Sequence, residues 1–142
     1  MGIPKAITHI NSDRRVILHQ TRLMSNLPDP RQMTSDIVES FPEARAREVA
    51  GVHMRLEVRD KKFGWFMENH HGDGRLAINC KALPGIPESM VAKDPVVYHI
   101  PKYVGKKGWI GIWVDEPSVN WDEVRELLLT AYQVTAPKSL QI

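Results

Sequence analysis

The sequence has a single cysteine, Cys80, no long apolar run, and no large excess of charge of one sign. One cysteine excludes an internal disulfide framework and is typical of a reducing compartment, so we expect a cytoplasmic protein. The longest strongly apolar stretch runs from Gly108 to Val114, far short of the roughly 20 residues of a membrane-spanning helix. The first residues also lack the apolar segment of a signal peptide, so we expect no membrane partner and no secretion.

Motifs that indicate catalysis or cofactor binding are missing as well. There is no G-x-S-x-G sequence, and residues 104–108 lack the first glycine and the hydroxyl residue of a P-loop. His70 and His71 have no second pair at metal-ligand spacing, so they are typical of turn histidines. Cys80 falls on the apolar side of its segment and resembles a buried hydrophobe. The sequence predicts a non-enzymatic protein with no catalytic residues, no cofactor and no metal site.

The organisation of the chain follows from its length and its periodicity. The 142 residues, 42% of them hydrophobic and 25% charged, match one ordinary globular domain. Residues 1–28 lack sustained periodicity, and we interpret them as a flexible leader before a single domain at 29–142. The alternatives are an ordered strand at Val16–Leu18, or a native start at Met24 or Met33.

Helix signals occur in three segments. Asp29 followed by Pro30 is a favourable helix start, and an apolar stripe at a spacing of four residues follows it until Pro42. Residues 84–93 form a second, shorter candidate. The last is the clearest, because Asn120 and Glu123 resemble a capping box before an amphipathic segment that ends at Pro137.

Strand signals fill the intervening segments. Apolar and polar residues alternate at 52–58, 62–68 and 75–81, and further strands are expected at 96–100 and 109–114. In the second strand this alternation assigns Phe63, Trp65 and Met67 to one apolar face. The prediction is an α+β two-layer sandwich, an antiparallel sheet with helices on one face, in the order α-β-β-β-α-β-β-α with one extra short strand near 44–49 as an option.

A family resemblance lies mainly in the C-terminal half. The motifs are Asp94-Pro95, Ile100-Pro101-Lys102-Tyr103-Val104-Gly105, Gly108-Trp109-Ile110-Gly111-Ile112, Asn120-Trp121-Asp122-Glu123-Val124 and Ala136-Pro137-Lys138, together with Val58-Arg59-Asp60-Lys61-Lys62-Phe63. In these motifs the sequence resembles the MmcQ/YjbR family from about Asp36 to Leu140. The resemblance implies a compact α+β domain with an antiparallel sheet backed by helices, and it implies DNA binding, the label usually given to this family.

Cationic side chains form the first candidate site. Arg55, Arg59, Arg75 and Lys81 are expected to project from the polar face of the sheet, with Lys62 at a hairpin edge. Residues 75–107 hold six basic against two acidic side chains, whereas residues 115–126 hold five acidic against one basic. Such a surface can neutralise phosphates. The alternative is an ordinary solvated strand face, since a glutamate lies among the arginines.

Aromatic side chains form the second candidate. If the aliphatic residues of the 109–114 strand face the helices, Trp109, Gly111 and Trp113 face away from them, near Lys106 and Lys107. An exposed ring beside cations is a stacking platform for bases. We expect Trp113 to serve this role and Trp109 to pack.

These candidates predict low-specificity DNA binding through the polar sheet face and the Lys102–Lys107 loop. One alternative is a protein-interaction module or homodimer through the same face. A second is a small-ligand pocket or an enzyme under that loop, which a deep cavity lined by His99, Tyr103 and carboxylates would favour.

Overall fold

The computed structural model describes residues 27–141. The predicted leader therefore lies almost wholly outside the described residues, as do the alternative strand at Val16–Leu18 and the alternative start at Met24. The elements in chain order are α1 (Pro30–Glu39), β1 (Ala44–Val49), β2 (His53–Val58), β3 (Lys61–Glu68), β4 (Leu76–Cys80), α2 (Ile86–Lys93), β5 (Tyr98–His99), β6 (Ile110–Trp113) and α3 (Trp121–Gln133). Short 3-10 turns lie between these elements at His70–Gly72 and Val104–Lys107, and after α3 at Lys138–Leu140.

The strands form a six-stranded antiparallel sheet in the order β1-β2-β3-β4-β6-β5. The predicted α+β class and element order are confirmed, and the optional strand near 44–49 is present as the edge strand β1. No helix within the described part of the chain combines the length and apolarity needed to cross a membrane.

The N-terminal caps of α1 and α3 form as predicted, but the Glu123 carboxylate, the other half of the predicted capping box, accepts hydrogen bonds from Lys93 and Tyr98 instead. The Asp29 carboxylate accepts a hydrogen bond from the Arg31 amide at 3.1 Å, and Pro30 occupies the first turn of α1. At α3 the Asn120 side chain accepts from the amides of Asp122 and Glu123, at 3.0 and 3.2 Å. These caps satisfy amides that have no partner within their own helix.

The main core lies between the helices and one face of the sheet. Strand residues such as Leu56, Phe63, Ile78 and Ile112 pack there with Leu128 of α3, and each is fully buried. We call this side the helix-covered face and the opposite side the open face. Because side chains alternate along a strand, the residues between these core positions point to the open face.

The predicted alternation of β3 is wrong at one point. Leu56 is opposite Gly64, but Glu57 is opposite Lys62, so Phe63 is an extra residue in a β-bulge. The bulge lets both Phe63 and Phe66 enter the core with no exposed area. Trp65 is consequently moved to the open face, opposite Asn79 of β4.

Candidate functional site

A pocket of about 660 Å³ occupies the open face. Trp65, Ala77 and Asn79 of the sheet line it, and the chain between β5 and β6 adds Pro101 and Tyr103. The remaining lining residues are His53, Met67, His70, His71, Asp73, Arg75, His99, Ile100, Lys102, Val104 and Trp113. The open face is therefore concave rather than flat, with aromatic rings from both the sheet and the loops.

Trp113 and His99 form a stacked pair of rings in this pocket. Their rings are stacked, with centroids 4.0 Å apart and planes 19° from parallel. A Cβ atom on Gly111 would lie 2.2 Å from His99 Nε2, so the imidazole can cover β6 only because residue 111 has no side chain. Burial, together with the nearby positive charge of Arg75, lowers the pKa of His99 to about 4, so this ring is neutral at pH 7.

Tyr103 overhangs the pocket from the loop. Its side chain is 74% exposed, and its φ and ψ of 66° and −64° are those of a classic γ-turn. The amide of Val104 donates to the carbonyl of Lys102 at 2.7 Å, which closes that turn. A non-glycine residue in this conformation is strained, and such strain is concentrated at functional sites.

Three lysines lie together at the other end of the open face. The Lys62 ammonium is 5.6 Å from the Trp65 ring and 5.7 Å from the Trp109 ring. Burial lowers the pKa of Lys62. Neighbouring positive charges lower it further, and they belong to Arg55, Lys107 and Lys81. We name Lys62, Lys81 and Lys107 the lysine cluster; within residues 27–141 no carboxylate forms an ion pair with any of them.

The arginines predicted for the site are already paired with carboxylates. Arg55 contacts Glu57 at 3.0 Å. Glu57 is only 2% exposed and also pairs with Arg45 and Arg47 of β1. Burial opposes ionisation of Glu57, but the hydrogen bonds from these β1 arginines outweigh it and lower its pKa.

Arg75 and Arg59 are held by carboxylates in other places. Arg75 binds Asp115 at 2.9 and 3.0 Å and Glu116 at 3.0 Å, while its guanidinium lies 4.3 Å from the Trp113 ring in the pocket. Arg59 follows β2 and makes two hydrogen bonds with Glu43, at 2.8 and 2.9 Å. Arg59 is thus paired with Glu43 instead of joining the lysine cluster.

The two tryptophans of the 109–113 segment differ in burial, and the base-stacking role expected of Trp113 stays a prediction, since His99 and Arg75 already contact its ring. Trp109 is 6% exposed and packed, whereas Trp113 is half-buried and lines the pocket. Lys106 is exposed on the short Val104–Lys107 turn, one residue from the lysine cluster. Cys80 is fully buried on the helix-covered face, and burial raises the pKa of its thiol to about 12.

Sequence reasoning missed Trp65 and Asn79 as pocket residues. Phe63-Gly64-Trp65-Phe66 contains no polar side chain, so strict alternation had no means of detecting the bulge. The alternation at 75–81 predicts Asn79 on the polar face, but nothing in the pattern indicates that it is only 7% exposed. His70 and His71 border the pocket with ring centroids 3.9 Å apart, yet no group of metal-ligating residues able to hold an ion occurs in the described chain.

This fold is that of a small α+β protein with an open antiparallel sheet, and comparisons with known proteins agree. The YjbR family model matches residues 39–134, so the chain belongs to the YjbR family. A crystal structure of the Deinococcus radiodurans protein DR2400, with a DUF419 domain, is similar in fold at a TM-score of 0.58 and 16% identity, covering 71% of this chain and 74% of that chain. A search of curated proteins found no match.

Proposed function

We propose that this protein binds single-stranded DNA with low sequence specificity through the open face of its sheet. One observation carries the proposal: the aromatic pocket and the lysine cluster meet at Trp65, which lines the pocket and contacts Lys62. A nucleotide also combines a flat ring with an anion. Its base and its phosphate therefore find complementary groups side by side.

The electrostatic part of the proposal depends on the lysine cluster. Like charges around a partly buried Lys62 disfavour its protonated form, and a phosphate placed among them would relieve that repulsion. Since the arginines of this face are already paired with carboxylates, the lysines supply the available positive charge. The predicted phosphate contacts are therefore revised to Lys62, Lys81 and Lys107, with Lys106 beside them.

The aromatic part of the proposal favours single strands over duplexes. Trp65 and Trp113 lie within a concave site, and bases stacked inside a double helix do not reach such rings. An unstacked base can enter the pocket, where stacking on an aromatic side chain contributes about 1–3 kcal/mol. Stacking tolerates any base, which agrees with low specificity.

The test is fluorescence anisotropy with a labelled single-stranded 12-mer and its duplex at two salt concentrations. We expect the wild type to bind the single strand more tightly than the duplex. In Lys62→Gln and Lys107→Gln, the fall of log K with log salt should be shallower by about 0.7 for each lost phosphate contact. Lys138→Gln, which removes the same charge beyond α3, is the matched control and should leave the slope unchanged.

Absence of binding at low salt, or binding without a salt slope, would reject the proposal. An equal change of the salt slope in Lys138→Gln would show that DNA binding depends on the net charge of the protein rather than on the open face. Light scattering on the same samples tests the interaction-module alternative, since a stable dimer through the open face would hide the pocket.

The size of the pocket favours a second candidate, a free small ligand with an aromatic ring. Its volume of about 660 Å³ is typical of small-molecule sites, and His99, Tyr103 and the carboxylate of Asp73 line it. A mononucleotide that binds as tightly as the 12-mer would support this candidate over DNA.

A further inference from the structure

Asn79 is a buried polar residue that lines the pocket. It is 7% exposed, and its Oδ1 atom accepts no hydrogen bond from any residue in 27–141. Buried amide groups in folded proteins are nearly always hydrogen-bonded, because leaving one unpaired costs free energy. An unpaired amide that lines a pocket is therefore a candidate contact for a ligand.

A second unpaired atom lies in the same cross-strand row. His99 Nδ1 is buried and has no hydrogen-bond partner among the described residues. Asn79 and His99 both register with Gly111, on its two sides, and the imidazole lies over that glycine. Asn79 and His99, which carry the two unpaired atoms, therefore lie side by side in one wall of the pocket, beside the ring of Trp113.

The chemistry of an amide defines what this wall can bind. The Asn79 side chain offers an acceptor oxygen and an NH₂ donor next to each other, and it can exchange them by rotating half a turn. It is thus complementary to any heterocycle edge that carries a donor beside an acceptor. Every DNA base has such an edge, whereas a hydrocarbon ring of the same shape does not.

We infer that the pocket reads the hydrogen-bonding edge of one nucleobase through Asn79, with His99 Nδ1 as an additional polar contact. This inference rests on the proposed binding of single-stranded DNA and specifies how a base is held. Because the amide pairs with the edges of all four bases, such a contact selects a base over other flat groups without selecting a sequence.

The experiment uses three oligonucleotides of equal length and charge. Each is abasic except at its centre, which carries thymine, the non-polar isostere difluorotoluene, or no base. The wild-type protein should bind the thymine probe roughly tenfold or more tightly than the isostere, the discrimination expected of a two-bond amide contact. The isostere should still exceed the abasic probe, because its ring can stack.

Two variants locate the effect. Asn79→Leu should reduce the thymine-to-isostere ratio to near one while leaving the salt slope unchanged. His99→Phe, which keeps an aromatic ring against Trp113, should reduce the ratio by a smaller factor. Thermal unfolding confirms that each variant is folded, and we expect Asn79→Leu to be at least as stable as the wild type because it removes an unpaired buried amide.

The outcomes separate the inference from the function on which it rests. Equal wild-type affinity for thymine and the isostere, with a normal salt slope, would overturn the edge contact alone. A ratio that persists in Asn79→Leu would also overturn it. No salt-dependent binding of any probe would overturn the proposed function itself.

Discussion

The two faces of one sheet differ in how completely their groups are satisfied. On the helix-covered face Phe63 and Phe66 are fully buried, and the hydroxyl of Tyr132 donates to the carbonyls of Pro42 and Leu140 at 2.8 and 3.2 Å. On the open face Oδ1 of Asn79 and Nδ1 of His99 have no hydrogen-bond partner within residues 27–141. The same strands therefore have one well-packed face and one face that carries buried polar atoms without hydrogen-bond partners.

This difference indicates that the open face contributes less to the stability of the fold than the helix-covered face. The open face combines unpaired polar atoms, lysines that repel one another and the strained backbone of Tyr103. Each feature raises the free energy of the folded protein, and a bound ligand would offset it. Because local rules of folding are often broken at functional sites, we propose that binding occurs on this face.

The largest expected effect is a difference in unfolding free energy between substitutions on the two faces. Phe66→Ala removes a fully buried ring and should cost about 3–5 kcal/mol of unfolding free energy. Tyr103→Ala also removes an aromatic ring, but at an exposed position, and should stay within about 0.5 kcal/mol of the wild type while weakening DNA binding. Urea unfolding and anisotropy measure the two effects, and a large loss of stability in Tyr103→Ala would contradict the comparison.

Glu57→Gln tests the charge of the open face. It removes the carboxylate that pairs with the partly exposed Arg45, Arg47 and Arg55, so we expect a loss of about 1–3 kcal/mol in stability, the range for a lost hydrogen-bond partner. The freed arginines should at the same time tighten DNA binding. Weaker binding by a variant that is still folded would count against a phosphate contact on this face.

The same glutamate gives a pH dependence with a defined sign. Its pKa is lowered from 4.5 in the folded protein, so its stabilising contribution is present above that value and is lost as the pH falls below it. Glu57→Gln should remove this part of the acid destabilisation, which urea unfolding at pH 6 and below measures.

His99 gives a second pH dependence at a higher window. Its pKa is lowered from 6.5 to about 4 in the folded state, so its contribution is complete above 6.5 and is lost as the pH falls towards 4. Because the ring is partly exposed, we expect a loss on the order of 1–2 kcal/mol across that window. In His99→Gln the free energy of unfolding should depend less on pH between 6.5 and 4. An unchanged pH dependence would show that the His99 ring is not held neutral.

The smallest effect concerns Lys62. Since its pKa is lowered in the folded state, protonation of Lys62 opposes folding, and Lys62→Met should stabilise the protein by on the order of 0.5 kcal/mol. The same substitution should weaken DNA binding. Lys93→Met, which removes a lysine paired with Glu123 near the helices, is the control and should not stabilise the fold.

The sequence predicts the helix-covered half of the molecule better than the open half. Caps at Asp29 and Asn120 and the apolar periods of β2 and β4 depend on local chemistry, and the structure confirms them. The pocket depends on the bulge at Phe63 and on how the loop after β5 lies over the sheet. Both are set by tertiary packing, which alternation along one strand does not encode.

The most direct test of the central claim is a nuclear magnetic resonance titration of the labelled protein with a short single-stranded oligonucleotide at low salt. The account predicts that the indole signals of Trp65 and Trp113, the side-chain amide of Asn79 and the amides near Lys62 shift together and saturate together. Shifts confined to the helix-covered side, or none at all, would contradict it.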